Sequence, residues 1–413
     1  MKKYNLSSII NKKMLMLSTV ILFAFSLNAQ DWEEVIAFEP AQSMKSIKFA
    51  NELVGYTNGA LYNGSTYNIH KTIDGGNTWI DQSSGYANGI SFNDTYVFSE
   101  DTVMMCGQNG IVIHTTDGGE NWISNTITGA GGLSSISFVG ETGYVTGDGG
   151  HIFKTDNMGE SWTEIASPTN NTLLDIYFIT EDFGFVNGWN YIGYTHDGGQ
   201  TWQEPQTFPS PYPNWALREF SFVNENVGFV CGDAGLVFKT IDGGINWEWM
   251  DNLPDEDNSS IQSIVALDEN TVYTCGHNGT IMHTIDGGDN WELMSASSQN
   301  NFISMDFTPE GKGFIATWYG EILSYDPPPL SISDIAMNTT IQVYPNPTTN
   351  LVNIQSEFTI KSITVYNIAG QVILNESTDN TTYRVNTSNF DTGIYLFRIE
   401  TEEGSIAKRV IIE

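Results

Sequence analysis

Thr240-Ile241-Asp242-Gly243-Gly244-Ile245-Asn246-Trp247 decides the fold, because the same eight-residue phrase stands at six places in the chain. The other copies occupy residues 72–79, 115–122, 155–162, 195–202 and 284–291. Their third positions are Asp74, Asp117, Asn157, Asp197, Asp242 and Asp286, and each ends on a tryptophan: Trp79, Trp122, Trp162, Trp202, Trp247 and Trp291. Consecutive tryptophans are 43, 40, 40, 45 and 44 residues apart, the length of a four-stranded propeller blade. The chemistry of the phrase is that of a self-stapled hairpin. The carboxylate accepts hydrogen bonds from N–H groups two or three residues on. The glycine pair takes positive φ without steric cost, and the indole buries a large apolar area as the next strand begins. In the degenerate third copy Asn157 keeps the acceptor, so the turn is expected to survive there.

Two strand signals precede each phrase. The first is period-two alternation in seven copies: Ile47-Lys-Phe49, Ile90-Ser-Phe92, Ile136-Ser-Phe138, Ile176-Tyr-Phe178, Phe220-Ser-Phe222, Ile264-Val-Ala266 and Met305-Asp-Phe307. The second is a hairpin at Gly-x-x-Gly, as in Gly107-Gln-Asn-Gly110, Gly232-Asp-Ala-Gly235 and Gly276-His-Asn-Gly279. The seventh repeat stops near Tyr325 without its tryptophan strand, and Asp31-Trp32-Glu-Glu-Val-Ile-Ala-Phe38 reads like that missing strand. The N-terminal strand is therefore expected to complete the last blade and close the ring, which removes exposed sheet edges.

These residues resemble the Asp-box, or bacterial neuraminidase repeat, and most of all the seven-bladed propellers of the photosystem II assembly-factor type. The resemblance spans residues 31–325 and implies fold more than function. Beyond a Pro-rich linker at 326–340 the chain changes style. Residues 341–413 hold short alternating strands with turn signals. Tyr344-Pro-Asn-Pro347, Tyr366-Asn-Ile-Ala-Gly370, Gly393-Ile-Tyr395 and Lys408-Arg-Val-Ile-Ile412 resemble the type A C-terminal sorting domain of type IX secretion. That resemblance implies a small Ig-like β-sandwich, recognition by the type IX machinery, and passage through the periplasm to the cell surface or medium. The fold class expected is thus all-β, a seven-bladed β-propeller followed by a small sandwich.

The N-terminus agrees with export. Lys2, Lys3, Lys12 and Lys13 precede an apolar run from Met14 to Leu27, too short to span a bilayer, so residues 1–30 read as a signal peptide and the mature chain as lacking a membrane span. Between Asp31 and Leu330 there are 40 acidic and seven basic residues, a net −33. Such a surface repels nucleic acid and favours solubility. Cys106, Cys231 and Cys275 occupy equivalent positions of three repeats and read as small buried fillers rather than a disulfide framework.

Little in the sequence speaks for catalysis. The Asp-box sialidases hold a substrate carboxylate with three arginines, whereas residues 31–330 contain only Arg218. A glycoside hydrolase using a carboxylate pair is the alternative reading, but the second propeller that xyloglucanase-like relatives use to form a cleft is missing from this pattern. His114 and His283 are repeat-equivalent to Lys71, Lys154 and Lys239 and form no metal-ligand spacing, so neither a metal nor a cofactor is expected. What remains is a binding or scaffold role toward a protein or glycan. Its candidate residues depart from the repeat: Trp189, Trp318 and Tyr319 in turns where other blades have small residues, and Tyr212, Trp215 and Arg218 in the longest crossover. Aromatics not needed by a blade core suit stacking on sugars or anchoring a partner.

Overall fold

In six of the seven repeats the alternating stretch lies in the strand nearest the ring axis, and the next strands add outward in chain order. The computed structural model describes residues 32–38, 42–61, 67–82, 90–209, 214–255, 258–326, 341–345, 348–367, 372–388, 390, 393–401 and 404–412. The signal-peptide stretch, Tyr212 and nearly all of the linker lie outside those residues. The chain divides into two compact units, Met1–Pro327 and Pro328–Glu413.

The first unit contains seven antiparallel sheets. Their innermost strands are Gln42–Phe49, Phe92–Val97, Leu133–Val139, Leu173–Phe178, Leu217–Phe222, Ile261–Ala266 and Phe302–Phe307, which define blades 1 to 7. Blade 2 corrects the sequence reading. Its inner strand begins at Phe92, so Ile90 and Ser91 precede the strand and the equivalent triplet is Thr95-Tyr96-Val97. Ile90 and Phe92 have the apolar spacing, while the equivalent triplet has Thr95 at its first position and an apolar end only at Val97. In blade 4 the tryptophan strand shrinks to one bridge, Tyr194 with Gln203.

The ring closes as expected. Glu33–Ala37 pairs antiparallel with Glu321–Tyr325, giving blade 7 its fourth strand. Trp32 is fully buried, stacks on Tyr325 at 5.3 Å and meets Phe307 edge-on at 6.0 Å. It takes the place of a seventh box tryptophan. The box tryptophans join hydrophobic clusters that reach into the preceding blade: Trp79 the one that holds Phe314 of blade 7, Trp122 the one that holds Tyr56 of blade 1, and Trp202 the one that holds Tyr144 of blade 3. Within blades, an inner-strand phenylalanine lies across a glycine of the second strand. A Cβ at Gly143 would stand 2.2 Å from the Phe138 ring, so only glycine fits.

The Asp-box turns are wider than the sequence reading. The acceptor bonds the N–H four residues on rather than two or three, from Thr78 to Asp74 at 2.8 Å and from Asn246 to Asp242 at 2.9 Å. The threonine, unassigned in the sequence reading, does equal work. Thr72 Oγ1 donates to Asp74 and accepts from the Gly76 N–H at 2.9 Å, and all six copies repeat this. Asn157 does keep the turn, accepting from Ser161 N at 3.0 Å, with Met158 held at a φ of 54° where other copies have glycine. The Gly-x-x-Gly hairpins fold as one turn of 3-10 helix with the third residue left-handed, as at Asn109 and Ala234. All three cysteines are buried and free.

In the second unit, Leu351–Asn367 is one long strand whose register breaks between Gln355 and Ile360. It pairs with Gln342–Tyr344, Val372–Asn386 and Gly393–Thr401, and the last of these pairs with Gly404–Ile412. The five strands form one continuous hydrogen-bonded sheet. Val352, Ile354, Ile363, Val365, Val385, Phe397 and Val410 share a buried core, which a sheet without helices attains only by folding over on itself.

Candidate functional site

An antiparallel second strand returns to the face where the first began. The turns between second and third strands therefore share one face of the ring with the blade crossovers, and the boxes lie on the other. The residues singled out from sequence all fall in elements of this loop face, apart from Tyr212, which is not described. Trp189 is 45% exposed, Trp318 37% and Tyr319 44%. The Trp189 turn and the long crossover are joined: Asn190 N donates to the Trp215 carbonyl at 3.0 Å, and Trp215 N donates to Asn190 Oδ1 at 3.0 Å. Trp215 itself is half-buried, packed on Phe208 at 5.0 Å and part of the blade 4–5 core. Arg218 forms a bidentate pair with Asp233, at 2.9 and 3.0 Å. Trp318 and Tyr319 belong to blade 7, three blades round the ring from Trp189. The structure thus makes two groups, Trp189–Trp215–Arg218 and Trp318–Tyr319, on opposite sides of a central channel.

The channel is where sequence reasoning saw least. Each inner strand carries a β-bulge, and the residue just past it is short and polar or acidic: Ser46, Asp94, Ser135, Asp175, Glu219, Ser263 and Ser304. These side chains accept from backbone N–H groups of the next blade. Asp94 takes Ile136 at 3.0 Å, Asp175 takes Phe220 at 2.7 Å, Glu219 takes Ile264 at 3.0 Å, and Ser135, Ser263 and Ser304 do likewise. Six of the seven seams are stitched this way, and at the seam from blade 1 to blade 2 Asn58 donates to Thr95 Oγ1 at 2.9 Å. A polar residue recurring at the start of an otherwise apolar strand was the available signal.

One cation, Lys48, lies among Asp94, Asp175, Glu219 and Asp306, 3.5 Å from Glu219. Burial opposes its charge, but the four carboxylates more than offset this and raise its pKa. Burial, with the charge of Glu219, pushes Asp175 up to about 7 despite its bonds from Ser135 and Phe220. Burial likewise lifts Asp306 to about 6 against the pull of Lys48. Perturbed carboxylates invite a catalytic reading. Here both oxygens of Asp175 are engaged by Ser135 and Phe220, and Glu219 by Lys48, Ser263 and Ile264. Among the described residues no group of three or more His, Cys, Asp or Glu is arranged to hold a metal, and no helix is long and apolar enough to cross a membrane.

Residues 25–130, 161–258 and 249–326 match the family model of the photosynthesis system II assembly factor YCF48. The chain belongs to the YCF48 family. Residues 342–413 of this YCF48-family chain match the secretion system C-terminal sorting domain, which makes it a secreted or cell-surface propeller carrying a type IX sorting tail. Solved structures agree on the fold. YCF48 bound to a D1 peptide is 19% identical with a TM-score of 0.60, covering 73% of this chain and 99% of that one. YCF48 from Cyanidioschyzon merolae is 15% identical with a TM-score of 0.56, over 72% and 99%. PorZ, a surface component of the type IX secretion system of Porphyromonas gingivalis, is 15% identical with a TM-score of 0.52 over 90% of this chain, which spans 59% of PorZ. No curated protein matches the sequence.

Proposed function

We propose that this YCF48-family propeller is an extracellular binding module that meets a protein or glycan on its loop face. The observation that carries the reading is the placement of its exposed aromatics. Trp189, Trp318 and Tyr319 stand outside the core on that face, while every box tryptophan is buried or half-buried. Large aromatics held open around a concave mouth are what anchor ligands. The D1 peptide bound to a similar YCF48 propeller supports use of this scaffold for recognition. The glycoside hydrolase reading draws less support, because the channel acids are occupied in stitching blades. The test is a peptide and saccharide array probed with the mature chain and with Trp189→Ala and Trp318→Ala. A ligand lost in at least one variant, with unchanged melting, supports the reading; a ligand retained by both overturns it.

A further inference from the structure

Seven basic residues serve the 40 acids of residues 31–330, and four of them are spent on structure. Lys71, Lys154, Lys239 and Lys312 lie over aromatic rings of their own blades at 5.0 to 5.6 Å. Lys71, Lys239 and Lys312 also donate to box carbonyls of the next blade, at Gly118, Gly287 and Gly75, and Lys154 pairs with Asp156. The remaining three, Lys45, Lys48 and Arg218, line the channel mouth. Lys48 and Arg218 have carboxylate partners. Lys45 has none among the described residues.

An unpaired, half-buried ammonium is a costly arrangement, and in a chain of net charge −33 acids to neutralise it are plentiful. Its Nζ lies 4.7 Å from the centre of the Trp318 ring, and burial holds its pKa below the ordinary lysine value. On the other side of Ile303, in blade 6, Gln262 lines the same mouth, and its Nε2 is buried without a hydrogen-bond partner. Buried donors are normally satisfied, so both await an oxygen. The cavity they line has a volume of about 320 Å³. That is the size of a small-ligand pocket, whereas a protein partner needs a broad contact of ~800 Å².

We propose that the mouth over blade 7 binds a carboxylated sugar, a uronate of an acidic saccharide, with Lys45 taking the carboxylate, Gln262 a hydroxyl and Trp318 the apolar ring face. This rests on the loop face being the binding face, and it names the ligand chemistry there. Lys48 and Arg218 are neutralised by their own carboxylates, so among the described residues of the mouth it is Lys45 that is left to meet an anion.

The probes are trigalacturonate, neutral galactotriose and an acetylated tri-glutamate peptide, titrated calorimetrically into the mature chain. Trigalacturonate is expected to bind and galactotriose to be at least tenfold weaker. Lys45→Gln, which removes a charge-assisted contact, weakens trigalacturonate by roughly tenfold or more, and Lys361→Gln in the tail leaves it unchanged. Absence of trigalacturonate binding, or equal binding by Lys45→Gln, overturns the proposal. So does Lys45-dependent binding of the peptide without the sugar. A neutral or peptide ligand lost in Trp318→Ala but kept in Lys45→Gln overturns the uronate site and leaves the loop face standing.

Discussion

Replacing Trp32 by alanine tests the closure of the ring at its single most informative residue. The indole is fully buried, stacks on Tyr325 at 5.3 Å, meets Phe307 at 6.0 Å, and lies close enough to Gly313 that a Cβ there would stand 2.5 Å from it. Truncating a buried tryptophan costs ~3–5 kcal/mol, and the two ring contacts place Trp32→Ala toward the upper part of that range. The ring as a whole has a stability of ~5–15 kcal/mol, so this one change removes about a quarter of it or more. Trp202→Ala is the calibrating variant. Its indole is only half-buried and donates to the Ala166 carbonyl at 3.0 Å, so its loss is expected to be smaller. Urea denaturation of both variants gives the comparison, and hydrogen exchange reports whether the amides of Glu321–Tyr325 lose protection. A loss below ~1 kcal/mol in Trp32→Ala, or unchanged protection at Glu321–Tyr325, would refute closure by the N-terminal strand.

Asp242→Ala removes the acceptor for Asn246 and Thr240 and is expected to lose on the order of 1 kcal/mol of stability, with ligand binding unchanged in titration. Stability should also depend on pH in two opposite windows. Asp175 at about 7 and Asp306 at about 6 hold protons more tightly than in the unfolded chain, so melting temperature rises as pH falls from 8 to 5; Asp175→Asn flattens that limb. The box acids Asp117 and Asp286, held down to about 2 by bonds from Asn121 and Asn290, contribute stability that is present above pH 4 and lost as pH falls toward 2. Lys48→Met strands four carboxylates in the channel and is expected to cost ~3 kcal/mol at pH 8, less at pH 5; equal losses at both pH values would count against the channel charges as the cause.

The ring was legible in the sequence because its turns are chemically stereotyped. Asp242, its glycines and Trp247 repeat at blade length, and the match of Trp32 to a box tryptophan foretold the closing strand. Blade 2 was misplaced by a local coincidence at Ile90-Ser-Phe92, where apolar spacing alone outvoted the bulge position that Asp94 marks. The channel belt was missed for a physical reason: its bonds run from Asp94, Asp175 and Glu219 to the next repeat some 40 residues on, and periodicity within a strand does not encode them. Trp189 and Trp318 stood out as departures from the repeat, whereas Lys45 did not, since its lack of a carboxylate partner among the described residues becomes visible only once the other cations have been placed.

The pairing of Glu33–Ala37 with Glu321–Tyr325 also sets an order of events in time. The closing strand is made first and its partner last, so an emerging chain carries an open arc of blades until nearly the whole propeller has been synthesised. Contacts of such long separation form slowly, and an arc with unpaired edges is a poor stopping point for a folding chain. A protein built this way remains an unsealed chain through synthesis and becomes cooperative in one late step, when its first strand meets its last blade.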